Sequence, residues 1–372
     1  MKDSRIKEFE AVLESIKVPS NMKIEQQMKL MEPVSTIVDD MLPSRLYRFR
    51  ACSERNFDAF YKDQVWASRG CDVNDDYDTC LYYDNKKIKE WLQHLSDERL
   101  GLRMLNYLKT AGKAPELVKE LFPDLEEEIE KRLKIIQQLP YEDIKAFATD
   151  FKKYIQDNLL ERLEKVTLLI QQGVKFACFS ENINSAMMWG HYAKSGTGFA
   201  VGYDFKNGKL NNCPECHQLG KECYYPMLCH IYPIIYNNKR YDATEYALYM
   251  FRYWLLSDVL CKCGFINNSQ WINVVMPCPD NSMLSKIAIH KSSEWKPEKE
   301  WRLFCSNYRP DFFYEAHSVV KKNSVAIYLG RKISSINEKI LKDIAREKGI
   351  ECYKMELNKS QVYKLKPIKQ KL

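Results

Sequence analysis

The sequence predicts an α+β protein built on a mixed or antiparallel sheet, and three observations carry that expectation. Short apolar or alternating runs such as LYRFRAC, VKFACFS and SVAIYLG have the periodicity of strands. Helical segments lie between them, yet strands and helices do not follow the strict alternation of a doubly wound fold. The 372 residues, 45% hydrophobic and 12% aromatic, are ample for a large buried core.

Residues 1–43 form an N-terminal helical segment, because Ile6, Phe9, Leu13 and Ile16 fall on one helical face. Leu46–Cys52 alternates and reads as a strand. NFDAFYKDQ then reads as a helix, VWAS as a short apolar piece and RGCDVNDDYD as a turn-rich loop. Residues 86–171 are dense in helix formers and make a helical insertion; no heptad persists in it, which argues against a coiled coil. From Val174 strands resume: VKFACFS and GTGFAVGYDF flank SAMMWGHYA, a helix or turn. Residues 206–230 are a cysteine-rich insertion. IYPIIYN is a strand, and TEYALYMFRYWLLSDVL is an aromatic helix belonging to the core. KEWRLFCS, SVAIYLG, ECYKMEL and VYKLKPI are strands. SSINEKILKDIAREKG is a helix capped by Ser334 or Ser335 and stopped by Gly349. The α+β core therefore spans 44–85, 172–205 and 231–372.

Lys and Arg outnumber Asp and Glu by 57 to 50, an excess of 7. That balance admits a phosphate-bearing ligand, without the basic stripe of a non-specific nucleic-acid binder. No apolar run approaches the roughly 20 residues of a membrane span, and the first residues lack a signal-peptide core, so a cytoplasmic protein with no membrane partner is expected. Neither GxGxxG nor GxxxxGK[ST] occurs, which leaves Rossmann and P-loop readings without support. Most of the thirteen cysteines are scattered singly, as buried thiols are. Cys213, Cys216, Cys223 and Cys229 differ: a C-x2-C pair followed by two more thiols offers four soft ligands for a structural, tetrahedral zinc. The alternative is a set of unrelated loop thiols.

Three constellations could carry chemistry. In EWKPEKEWRLF, strand alternation places Glu298, Glu300 and Arg302 on one face and Trp301 and Leu303 on the other. That face is either solvated or the wall of a cleft. In the stretch from Phe176 to Phe205, Ser180 ends a buried strand, and Trp189, His191 and Tyr192 crowd around Gly190. His191 with Tyr192 is an acid–base pair or, ranked first for a lone histidine, a satisfied core residue. In LYRFR, Arg48 and Arg50 point one way and Tyr47 and Phe49 the other; an inward arginine needs a carboxylate or a phosphate ligand, a surface one does not.

These pieces together resemble the bacterial domain-of-unknown-function family 2971. They are Tyr47–Arg50, Trp66 with Asn74–Asp75, Cys178–Ser180, Met188–Tyr192 with Gly198–Phe199, Trp295–Arg302, and Ile327–Gly330, in that order. The resemblance covers roughly half of the chain and names no reaction. More distantly, Arg48, Ser180 and Glu298-x-Glu300 follow the chain order of the ADP-ribosyltransferases, although the serine strand reads C-F-S where that superfamily has S-T-S. This resemblance implies an ADP-ribosyltransferase-like sheet and NAD as co-substrate, held by Tyr47, Arg48, Trp189, His191 and Tyr192, with Ser180 supporting the nicotinamide ribose. It implies that Glu300 stabilises the oxocarbenium-like transition state and that Glu298 activates the acceptor, an unknown protein or nucleic acid. A toxin or antiphage effector is the corresponding role. Two alternatives stand beside it: a non-catalytic recognition or sensor module of a bacterial defence system, and a metal-dependent nuclease using Glu298, Glu300 and Asp75.

Overall fold

The computed structural model describes residues 3–19, 22–95, 142, 161, 164–165, 167–168, 170–206, 231–250, 280, 282–304, 317–360 and 362–372. Most of the helical insertion expected at 86–171 lies outside the described residues, as do Cys213, Cys216, Cys223 and Cys229.

The N-terminal segment is two helices, α1 (Asp3–Ser15) and α2 (Ile24–Met41). Phe9 and Leu13, on the apolar face of α1, are fully buried, and the Phe9 ring stacks on Tyr232 with centroids 6.2 Å apart. These helices share the core of the sheet that follows. After β1 (Leu46–Arg50), α3 (Glu54–Tyr61) starts at Ser53, whose Oγ accepts from Asn56 N, and β2 (Gln64–Arg69) follows. α4 (Asn85–Leu95) begins the stretch that was expected to be helical.

The second half supplies β3 (Lys175–Ser180), the short helix α5 (Ala186–His191), β4 (Phe199–Tyr203), β5 (Ile231–Pro233) and β6 (Ile235–Asn237). IYPIIYN is thus two strands that part at Ile234 and join different sheets. α6 (Met283–Ala288) and β7 (His290–Ser292) lead through a 3₁₀-helix, Ser293–Glu298, into β8 (Glu300–Phe304). β9 (His317–Lys321), β10 (Ser324–Leu329), α7 (Ser335–Glu347), β11 (Glu351–Leu357) and β12 (Leu365–Lys369) complete the fold. Ser334 caps α7, its Oγ accepting from Asn337 N, and Gly349 at φ +64° ends it.

This is an α+β fold on a mixed ten-stranded sheet. Its order is β12-β11-β10-β4-β1-β3-β2-β9, with β8 on β3 and β5 on β8. Pairing is antiparallel except between β10 and β11, which α7 connects; β6 and β7 form a separate parallel pair. The sheet forks at β3. One edge of β3 pairs along its length with β8, whereas the other meets β1 only at Tyr47↔Ser180 and β2 only at Phe176 and Lys175. A gap opens between β1 and β2, and residues of β1 line it.

Candidate functional site

The gap is a cavity of about 470 Å³, a size that accommodates a nucleotide-sized ligand. β1 lines it with Tyr47, Arg48, Phe49 and Arg50, β3 with Cys178 and Ser180, and β8 with Glu300 and Arg302. The loop after β2 adds Asn74 and Asp78, α5 contributes His191 with Tyr192 just beyond it, β7 gives Lys291, and the last residue of the 3₁₀-helix gives Glu298. Antiparallel register sets the floor, because Ser180 faces Glu300 and Cys178 faces Arg302 across the β3–β8 ladder.

One expectation is corrected here. The alternating strand read from Glu298 to Leu303 begins only at Glu300; Glu298 ends the 3₁₀-helix, and Lys299 makes the junction in the left-handed region at φ 47°. Pro297 sits in the 3₁₀-helix, whose tight turn ends the helix and re-aims Glu298 before the strand starts. Glu298 still enters the cavity, from a different element and direction. The face is not solvated: Glu298, Glu300 and Arg302 are all buried.

Buried charge demands partners, and the floor supplies them. The Arg302 guanidinium, fully buried over the Phe176 ring, donates Nη1 to Asp78 Oδ1 (2.7 Å) and to Ala288 O (2.5 Å), and Nη2 to Asp78 Oδ2. Its Nε donates to Glu300 Oε1 at 2.7 Å. Lys291 Nζ donates to Glu298 Oε2 (2.9 Å) and Glu300 Oε2 (3.1 Å) and lies 4.5 Å from the Trp295 ring centre. Burial by itself would push the Glu300 carboxyl up, but the Arg302 and Lys291 charges outweigh it and hold the group down to about 2. Burial pushes the Cys178 thiol well up, which leaves it protonated and a poor nucleophile.

Glu298 bridges floor and rim. Its Oε1 accepts from the Tyr192 hydroxyl, which also accepts from Asn74 Nδ2 at 3.1 Å. Burial and the Glu298 charge push the Tyr192 phenol up, so it stays a neutral donor. Ser180 Oγ donates to the Glu298 carbonyl at 2.6 Å and accepts from Asn182 N at 3.1 Å, tying the 3₁₀-helix to the end of β3. Arg48 Nη2 donates to Trp66 O, and its guanidinium lies 5.7 Å from the Phe179 ring centre. Tyr47 packs edge-on to Tyr328, with centroids 5.3 Å apart.

The cavity thus gathers Tyr47, Arg48, Ser180, His191, Tyr192, Glu298 and Glu300. Trp189 does not line it: the indole is buried edge-on against Phe49 and donates Nε1 to Ile183 O at 2.7 Å. His191 is exposed at the rim, not a core histidine. Asp75 closes a turn, its Oδ1 accepting from Tyr77 N, and does not line the cavity. Sequence reasoning missed Lys291 and Asp78, and named Asn74 only as part of a motif, with no role in the site. Asp78 was signalled indirectly, since a buried Arg302 needs a second carboxylate and an aspartate-rich loop was at hand. Elsewhere, Glu10 and Glu14 of α1 and His290 of β7 bring ligand atoms within 4.8 Å of one another, a group able to hold a cation.

Fold and site together define an α+β protein with a charged, ligand-sized cleft in a forked sheet. Over residues 188–303 the chain matches the model of a family described as protein of unknown function (DUF2971). That span carries His191, Tyr192, Lys291, Glu298, Glu300 and Arg302. No curated protein and no solved structure matches the chain. No helix among the described residues is long and apolar enough to cross a membrane.

Proposed function

We propose that the chain is an ADP-ribosyltransferase-like enzyme with NAD as co-substrate. The observation that carries this reading is the meeting of Arg48, Ser180, Glu298 and Glu300, distant in sequence, on one cavity of about 470 Å³. The reaction would break the bond between nicotinamide nitrogen and ribose carbon. Nicotinamide leaves with the bonding electrons, and a nucleophile of the acceptor bonds the ribose carbon and gives up its proton. Positive charge develops on the ribose between these events, and a fixed carboxylate beside it lowers the barrier.

Geometry favours Glu298 over Glu300 for that contact. Both Glu300 oxygens are taken by Arg302 and Lys291, so Glu300 positions Lys291 and the floor. Glu298 has one oxygen on Lys291 and the other on a rim tyrosine that a ligand can displace. Ser180 acts through the Glu298 backbone. The acceptor is a protein or nucleic acid, and the role of toxin or antiphage effector rests on family-level analogy. A structural zinc on Cys213, Cys216, Cys223 and Cys229 is proposed from their spacing.

The test is NAD consumption and transfer of labelled ADP-ribose by the purified chain in cell extract. Glu298→Gln should abolish both while the variant remains folded. Intact NAD after incubation with wild-type protein and extract refutes the reading. A recognition module is the second reading, favoured by the mutual satisfaction of Asp78, Arg302, Glu300 and Lys291, which needs no reaction to explain it. It predicts stoichiometric ligand binding without turnover. The nuclease reading is weaker, because Asp78 and Glu300 already serve Arg302 and Asp75 lies off the cavity.

A further inference from the structure

Arg50 ends β1 and lines the cavity. No hydrogen bond, ion pair or ring contact engages its guanidinium among the described residues, in contrast to the fully engaged Arg302. Among the described residues its surroundings offer no anion. Burial and the charge of Arg48 push the guanidinium down to about 9, Arg55 adds further repulsion, and the nearby Tyr203 and Cys178 are held neutral by burial. Arg50 is half-buried and lines the cavity.

The carboxylates lining that cavity are already matched. Asp72 pairs with Arg69 (2.8 Å), Asp78 with Arg302, Glu298 with Lys291, and Glu300 with both Arg302 and Lys291. Among the described residues, the unmatched charge of the lining is therefore that of Arg50. A cation taken out of water without a counter-ion is costly, so a fold that keeps one facing a ligand-sized void holds it for an anion. The strand end is also fixed in place. A Cβ on Gly198 would stand 2.1 Å from Arg50 O, so β1 and the turn before β4 touch backbone to backbone, and the guanidinium is carried on a rigid edge.

We propose that Arg50 anchors an anion subsite in this cavity that takes a phosphate group of the ligand. Arg48, two residues back on the same strand, adds positive charge beside Arg50, and the fork of the Arg50 guanidinium matches two oxygens of one phosphate. The subsite rests on the same cavity as the NAD reading and deepens it, but it requires only a phosphate-bearing ligand.

The experiment measures binding of ADP-ribose, inorganic pyrophosphate and adenosine to the full-length chain by calorimetry, alongside thermal unfolding without ligand. Wild type should bind ADP-ribose and pyrophosphate, more weakly as salt rises, and adenosine least. Arg50→Gln should weaken ADP-ribose binding about tenfold or more, the loss expected of a charge-assisted hydrogen bond. It should also unfold at an equal or higher temperature, because an unpaired buried charge has gone. Arg50→Lys should fall between the two in affinity. Wild type that binds neither phosphate probe overturns the subsite. So does Arg50→Gln with wild-type affinity, or Arg50→Gln that fails to fold or melts lower, which would make Arg50 a structural residue. The outcomes separate from those of NAD cleavage. Turnover by Arg50→Gln at wild-type KM overturns the subsite and leaves the transferase. ADP-ribose binding that depends on Arg50 without any NAD turnover supports the subsite and overturns the transferase.

Discussion

Replacing Glu300 with glutamine keeps the shape of the side chain and removes its charge from between Arg302 and Lys291. The native carboxyl titrates near 2 against an ordinary 4.5, because the two cations outweigh the cost of burial. At about 1.4 kcal/mol per tenfold in acidity, that difference is about 3 kcal/mol of stability at neutral pH. The sign follows from the depressed native value. The contribution is complete above about pH 4.5, declines as pH falls, and is gone below about 2. Urea unfolding of wild type and Glu300→Gln at pH 7, 5 and 3 should show a gap of about 3 kcal/mol at pH 7 that narrows toward pH 3. A gap below about 1 kcal/mol at neutral pH, or one that does not change with pH, refutes the clamped carboxylate. This result would also explain loss of activity in Glu300→Gln without any chemical role, which is why Glu298→Gln is the sharper probe of catalysis.

Ser180→Ala removes the bonds to the Glu298 carbonyl and from Asn182 N, and should cost about 1–3 kcal/mol in urea unfolding while raising KM for the ligand more than it lowers kcat. Gly198→Ala forces the backbone at Arg50 O to move and should lower the unfolding temperature by several degrees; an unchanged melting curve would show that the close approach is not needed. Trp301, fully buried with Nε1 on Glu181 at 2.8 Å, should cost about 3–5 kcal/mol when replaced by alanine, measured the same way. Metal analysis of the gently purified chain should find about one zinc, lost in Cys213→Ser with Cys216→Ser; less than about half an equivalent counts against the site.

Much of the sheet was legible because its strands carry their own period. LYRFR, KFACFS and EWRLF alternate or run apolar, and each is a strand in the fold. Two features escaped. HSVVK forms β9, but its apolar stretch is only a few residues long and is parted from SVAIYLG by Lys322 and Asn323 alone; the two strands go to β2 and β4, on opposite sides of the fork. The break between Glu298 and Glu300 was invisible because strand alternation and a 3₁₀ exit both place two glutamates toward a cleft. Only the positive φ of Lys299 separates the two. In the site, Arg48, Ser180 and the glutamates stood out as charged or polar residues within or beside apolar strand patterns. Lys291 did not, since the short strand HKS has no period to read, and its role exists only once β7 is laid beside the 3₁₀-helix.

The fork at β3 has a mechanical consequence. Within the sheet, everything from β12 to β1 is joined to the part built on β3 and β8 through one registered pair, Tyr47↔Ser180. An occupant that grips the β1 arginines on one side and Glu298 on the other would splint the two halves across that notch. Ligand binding should then slow amide exchange most in β1 and β3, the strands that border the notch, and less in β11 and β12 at the far edge of the sheet.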